Sequence, residues 1–300
     1  MEGIIAGIKR TAVHDGEGLR TTVFFKGCPL KCIWCHNPES KRTHPEIMYN
    51  ETKCAHCGKC VTICKKSAHN VNNGVHLYDR SSCIECGECA SACVFGAIEM
   101  AGKAMDAESV IEEVLRDKVF YDTSGGGLTL SGGEPMMQFD FSYELLALAK
   151  EKGLHTCMET CGFAPSEKYE KIAPLVDIFL FDYKVTDPEL HKKYTGSDNE
   201  LILKNLSMLD SLGANTVLRC PIIPTCCDTI EHFLGIASTA NKLKNVIEIN
   251  VEPYHPLGKG KSELLGRDYP LSDISFPSEE TVSEWIRIIS ENTSVPVKKA

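Results

Sequence analysis

No apolar run in these 300 residues approaches the roughly 20 that a helix needs to cross a bilayer. The opening stretch MEGIIAGIKR lacks both the basic leader and the small-residue cleavage site of a secretory signal. Both absences predict a cytoplasmic protein with no membrane partner. Positive charge is short as well: 32 Lys and Arg stand against 41 Asp and Glu, for a formal charge of −9. With a pI near 5.6, that balance excludes a general nucleic-acid binder. Cysteine is what the chain does not lack. There are 16, and in a cytosolic chain that keeps its thiols reduced they point to metal rather than disulfides. Eleven of the 16 fall between positions 28 and 93, a clustering too uneven for scattered core residues.

Residues 54–64 (CAHCGKCVTIC) and 83–93 (CIECGECASAC) form an internal repeat, both reading C-x2-C-G-x-C-x3-C. Thiolates at that spacing match the bacterial two-cluster ferredoxin run, in which each fourth cysteine ligates the other cluster. The rule assigns Cys54, Cys57, Cys60 and Cys93 to one [4Fe–4S] cluster, and Cys83, Cys86, Cys89 and Cys64 to a second. Structural zinc, the alternative, uses two separated pairs. The proline usual after each fourth cysteine is replaced by Lys65 and Val94. Between the repeats, NVNNGVHLY places Asn73-Gly74 between two β-prone runs, which predicts a hairpin. The module reads as an insertion, residues 51–100, in a larger domain made of 1–50 and 101–300.

Beyond residue 105 helix-like and strand-like stretches alternate, as expected of parallel strands with right-handed crossovers. With IIAGI and TTVFF as earlier strands, six or more β/α units are expected. A full or partial β/α barrel fits, with a doubly wound open sheet as the alternative. In either fold, chemistry gathers at the carboxyl ends of the strands. There stand Gly132-Gly133-Glu134, Glu159-Thr160, Asp182-Tyr183-Lys184, Arg219 and Tyr254-His255.

The remaining cysteines of the cluster, Cys28, Cys32 and Cys35, lie in GCPLKCIWCHNPES. A cubane has four irons, so one ligand is missing. Cys157, Cys161, Cys220, Cys226 or Cys227 could supply it, or one iron stays open for substrate, as catalytic metal sites keep an open position.

C-x3-C-x2-C followed by a G-G-E loop after a later strand resembles the radical S-adenosylmethionine (SAM) enzymes. More narrowly, DGEGLRTTVFFKGCPLKCIWCHNPE, YDTSGGGLTLSGGEP, HTCMETCGF, FLFDYK and PYHPLGKGK together resemble the glycyl radical enzyme activating enzymes, of which the pyruvate formate-lyase activating enzyme is typical. The likeness runs from His14 to about Gly266, and the ferredoxin-like insertion is similar to that of the larger subgroup. Glu17 stands where the family usually has Pro.

The resemblance implies an α/β fold: a radical SAM full or partial (β/α) barrel with a small α+β ferredoxin-like insertion. It implies an oxidoreductase that cleaves SAM reductively to methionine and a 5′-deoxyadenosyl radical, which abstracts the Cα hydrogen of one glycine in a partner glycyl radical enzyme. By the same resemblance Cys28, Cys32 and Cys35 hold the catalytic cluster. Gly132, Gly133 and Glu134 bind the methionyl amine through loop carbonyls. Glu159 and Thr160 match a site for a monovalent cation (Na+ or K+) and the SAM carboxylate, with Glu where the typical member has Asp. Asp182 and Lys184 match the D-x-K motif that contacts SAM and orders the substrate peptide. Arg219 and His255 match residues near the SAM carboxylate and ribose. Trp34 and His36 are expected near the adenine, with packing as the other reading for Trp34. Three [4Fe–4S] clusters, an electron donor such as flavodoxin or ferredoxin, and a monomer complete the expectation. Two rivals remain: a radical SAM enzyme acting on a small molecule or another peptide residue, and a plain electron carrier. The first often carries further cysteines near its end, and none follows Cys227. The second leaves the triad and the G-G-E loop without a use.

Overall fold

A computed structural model describes residues 1–300. Nine strands make one sheet: β1 Glu2–Ala12, β2 Arg20–Phe25, β3 Lys103–Asp106, β4 Gly127–Gly132, β5 His155–Thr160, β6 Ile178–Asp182, β7 Thr216–Ile222, β8 Val246–Pro253 and β9 Val297–Lys299. Their order is β9-β8-β7-β6-β5-β4-β2-β1-β3. From β2 to β9 every pairing is parallel. The IIAGI strand departs from the β/α expectation. β1 runs antiparallel to both neighbours, because residues 13–19 are too few for the crossover that a parallel partner requires. The β/α units therefore start at β2.

The parallel strands add one after another in a single direction, without the reversal of order that marks a doubly wound sheet. The sheet ends at β3 on one edge and β9 on the other, so the barrel is partial. Strand alternation divides the apolar residues between two faces. Val23, Leu130, Phe179, Leu218 and Ile249 pack with Val110, Leu145, Ile236 and Trp285 of the helices. Cys157, Ile178, Leu180 and Val217 form a separate inner cluster. Asp106 caps the helix Ala107–Leu115, its carboxylate accepting from Ser109 N at 2.8 Å. No helix is long and apolar enough to cross a membrane.

The cysteine repeat folds outside this sheet, between an antiparallel pair, Glu46–Tyr49 with Ile98–Ala101, and the hairpin His69–Asn72 with Val75–Tyr78. Asn73 and Gly74 both take positive φ (50° and 77°), the mirror-image turn that Asn-Gly favours. Glu46 ties this lobe to the barrel: it pairs with the fully buried Lys26 at 3.1 Å and with Arg267. Arg80 adds two bonds, to Ile47 O at 2.8 Å and Leu264 O at 2.6 Å.

Candidate active site

β2 ends at Phe25, and the chain turns at Gly27 (φ 95°) into the cysteine loop. That loop closes on itself through Gly27 N to Ser40 O at 2.7 Å and Cys28 N to Lys41 O at 3.0 Å. β4 delivers the glycine loop alongside, with Gly133 N bonded to Phe25 O at 2.9 Å and Glu134 N to Gly27 O at 2.7 Å. A Cβ on Gly133 would run into the carbonyls of Gly27 and Ser40, so only glycine permits this approach. β5 joins through Glu134, whose carboxylate accepts from Thr160 Oγ1 at 2.9 Å, Cys161 N at 2.7 Å and Met136 N at 3.1 Å. Burial raises the Glu134 pKa, and these donors offset part of that rise.

The result is one cavity at the carboxyl end of the sheet. It is lined by Cys28, Cys32 and Cys35 together with Trp34, His36, Gly132, Gly133, Glu159, Thr160, Asp182 and Lys184. Lys184 Nζ donates to Asp182 Oδ2 at 2.7 Å. Against the cost of burial, Asp182 and the Cys32 thiol raise the ammonium's pKa. Burial pushes Glu159 up to about 7, with Arg219 pulling the other way.

Three expected residues sit differently from the rest. Glu134 turns its side chain into the staple just described rather than into the cavity. Arg219 stands behind the lining, 3.6 Å from Glu159 and paired with Glu252. His255 reaches the site through His36, the two rings stacked 3.7 Å apart. Burial, and then the His255 ring, lower His36 to about 3. Trp34 is 3% exposed and packs beside Leu30 and Val185, so it serves the core as well as the cavity wall.

Sequence reasoning missed Ser131 and Glu252 as lining residues. Ser131 bonds Glu159, and Glu252 pairs with Arg219. Their signal was register: Ser131 precedes the glycine loop on β4, and Glu252 sits one step before the end of β8. Of the five spare cysteines, only Cys161 lines the cavity. Its thiol lies against Cys28 and lowers that thiol's pKa.

The residues fit an iron–sulfur cluster and a polar ligand. Burial drives Cys32 up to about 12 and raises Cys35, so these sulfurs need a bound metal to become thiolates. Two buried polar atoms lack hydrogen-bond partners around the cavity, His36 Nε2 and His255 Nδ1. In the insert, one pocket is lined by Cys54, Cys57, Cys60 and Cys93, and a second by Cys64, Cys83, Cys86 and Cys89.

Residues 86–236 match the model of the radical SAM superfamily, and residues 46–94 that of the 4Fe-4S dicluster domain. The trans-4-hydroxy-L-proline dehydratase activating enzyme of Clostridioides difficile is 42% identical over 291 residues, 96% of each chain. The chain belongs to the glycyl radical enzyme activating enzymes. The (2S)-3-sulfopropanediol sulfolyase activating enzyme of Bilophila wadsworthia is also 42% identical, over 91% of each chain. The indoleacetate decarboxylase activating enzyme of Tractidigestivibacter scatoligenes is 38% identical, over 96% of this chain and 95% of its own. The fold is shared with a radical SAM methyltransferase from Sphaerobacter thermophilus (TM-score 0.56, 11% identity, 99% of this chain and 76% of that one). This enzyme accordingly works with iron–sulfur clusters and SAM, and its partner is a glycyl radical enzyme. When bound, cluster and SAM supply the one-electron cleavage that yields the hydrogen-abstracting deoxyadenosyl radical.

Proposed function

We propose that Cys28, Cys32 and Cys35 hold the catalytic [4Fe–4S] cluster and leave its fourth iron for the amine and carboxylate of SAM. The observation that supports this is the single cavity in which the three thiols face the glycine loop, Glu159, Asp182 and Lys184. The carbonyls of Gly132 and Gly133 receive the methionyl amine, while Glu134 keeps the loop in place. Glu159, oriented by Ser131 and Arg219, lies with Thr160 at the SAM carboxylate and at a monovalent cation, Na+ or K+. His36, steadied by His255, and Trp34 flank the adenine. Lys184, fixed by Asp182, orders the incoming glycine segment and helps keep water out.

The insert holds two further [4Fe–4S] clusters in the crossed pattern, bringing the total to three, and relays electrons from a flavodoxin or ferredoxin. The lobe is residues 51–100, within a barrel domain of 1–50 and 101–300, and the protein acts as a cytoplasmic monomer. Relatives between 36% and 42% identical serve dehydratases, sulfolyases, lyases and decarboxylases, so overall likeness selects no one partner.

The test is a set of cysteine variants in anaerobically reconstituted protein. Replacing Cys28, Cys32 and Cys35 by Ala abolishes SAM cleavage and leaves the insert signals. Cys161→Ala retains cleavage, because its thiol is not the fourth ligand. Cleavage surviving without the triad, or lost with Cys161 alone while iron stays constant, refutes the assignment. The partner is the candidate enzyme that gains a glycyl radical signal in electron paramagnetic resonance.

A further inference from the structure

The hairpin between the two cysteine runs carries a pair of histidines that cluster ligation does not use. His69 is 2% exposed and His76 4%. They occupy diagonal positions on one face of the hairpin, since His69 pairs with Tyr78 and Val71 with His76. The rings stack 5.1 Å apart, and His69 Nδ1 lies 3.1 Å from His76 Nε2. His76 lines the pocket of Cys54, Cys57, Cys60 and Cys93; His69 lines that of Cys64, Cys83, Cys86 and Cys89. The pair therefore spans the wall between the two pockets.

Donor arithmetic fixes the direction of the bonds. His76 Nε2 lies 3.3 Å from Cys60 Sγ as well as near His69 Nδ1. A cluster-bound thiolate only accepts, so once Cys60 ligates a cluster the proton belongs on His76 Nε2, within reach of both Cys60 Sγ and His69 Nδ1. A neutral His69 with Nδ1 accepting carries its own proton on Nε2. That nitrogen is buried and has no partner in the protein, although its ring lines the second pocket. Tyr78 stacks on His69 at 4.6 Å and Tyr49 meets His76 edge-on at 4.7 Å, which fixes both rings.

We propose that His69 and His76 are positioning residues that join the two insert clusters by hydrogen bonds: His76 to the thiolate of Cys60, and His69 Nε2–H to the sulfur of the second cluster. N–H donors to cluster sulfur withdraw charge and raise the reduction potential. The pair thus sets the potentials of both clusters from a single shared element. The inference rests on the two-cluster reading of the insert, and its test is built to fail separately from that reading.

The experiment is a redox titration followed by electron paramagnetic resonance, in the full chain with Cys28, Cys32 and Cys35 replaced by Ala so that only insert clusters report. About eight irons per chain establish the two-cluster reading, and their absence with both histidines intact refutes that reading instead. At constant iron, His76→Leu lowers the potential of one cluster, His69→Leu lowers that of the other, and His76→Gln, which keeps an N–H donor, restores part of the shift. Unchanged potentials at full iron content overturn the proposal. So does loss of one cluster in both His76→Leu and His76→Gln, which would make His76 a ligand or a purely structural group. One zinc per chain that disappears with His69→Leu overturns it too, because Cys60, His69 and His76 would then form a mononuclear site.

Discussion

Glu134 has no solvent exposure, and its carboxylate accepts from a hydroxyl on β5 and two backbone amides. Glu134→Ala strands the amides of Cys161 and Met136 as buried donors and leaves the Thr160 hydroxyl only Tyr169. A loss of about 3 kcal/mol or more is expected, read as a lower midpoint in urea, together with weaker SAM binding as the loop loosens. His232 gives a pH signature. It is buried, and its Nδ1 accepts from Thr186 N at 3.2 Å. Burial lowers its pKa to about 4 from the ordinary 6.5. Because the unfolded chain binds this proton more readily, stability is complete above pH 6.5 and falls as pH drops toward 4. The slope is on the order of 1 kcal/mol per pH unit, and His232→Gln flattens it in denaturant titrations at pH 7 and pH 5. The G-G-E motif was legible in the sequence, but the use of its glutamate was not. Which donors a carboxylate meets depends on β5 arriving beside β4, and local spacing does not encode that neighbour. Cys161 is a similar case: five spare cysteines looked equivalent until strand ends placed one of them beside Cys28.

The insert and the barrel meet at a few charged groups. Glu46, on the strand that leads into the insert, faces Lys26 and Arg267 with its side chain 5% exposed, and Lys26 is wholly buried. Glu46→Ala leaves that ammonium unpaired, which costs about 3–5 kcal/mol. Calorimetry is expected to show the loss, and hydrogen exchange to show faster opening of the pair formed by residues 46–49 and 98–101. The hairpin at Asn73-Gly74 and the cap at Asp106 were readable because turn and cap chemistry is local. The direction of β1 was not, because an alternating apolar strand looks the same whether its neighbour runs parallel or antiparallel. Only the short link to β2 carried that information.

At the scale of the whole molecule, one-way addition of parallel strands leaves the sheet open and brings the carboxyl ends of β2, β4, β5, β6 and β8 to one cavity. The barrel class was legible from repeated helix–strand alternation, whereas closure was not, since it depends on whether the edge strands meet. Three full clusters predict about 12 irons per reconstituted chain, and a reproducible content of about four would leave only the catalytic one. The Glu46 clamp also bears on how this enzyme dies. Lys26 immediately precedes Gly27 and Cys28, so the ion pair that anchors the insert pulls on the strand end from which Cys28 hangs. An oxygen lesion that strips iron from the insert is therefore expected to reach beyond it. Slackening at Glu46 is expected to loosen the mouth of the cavity beside Cys28 as well, so that damage begun at the periphery ends as a fault at the centre.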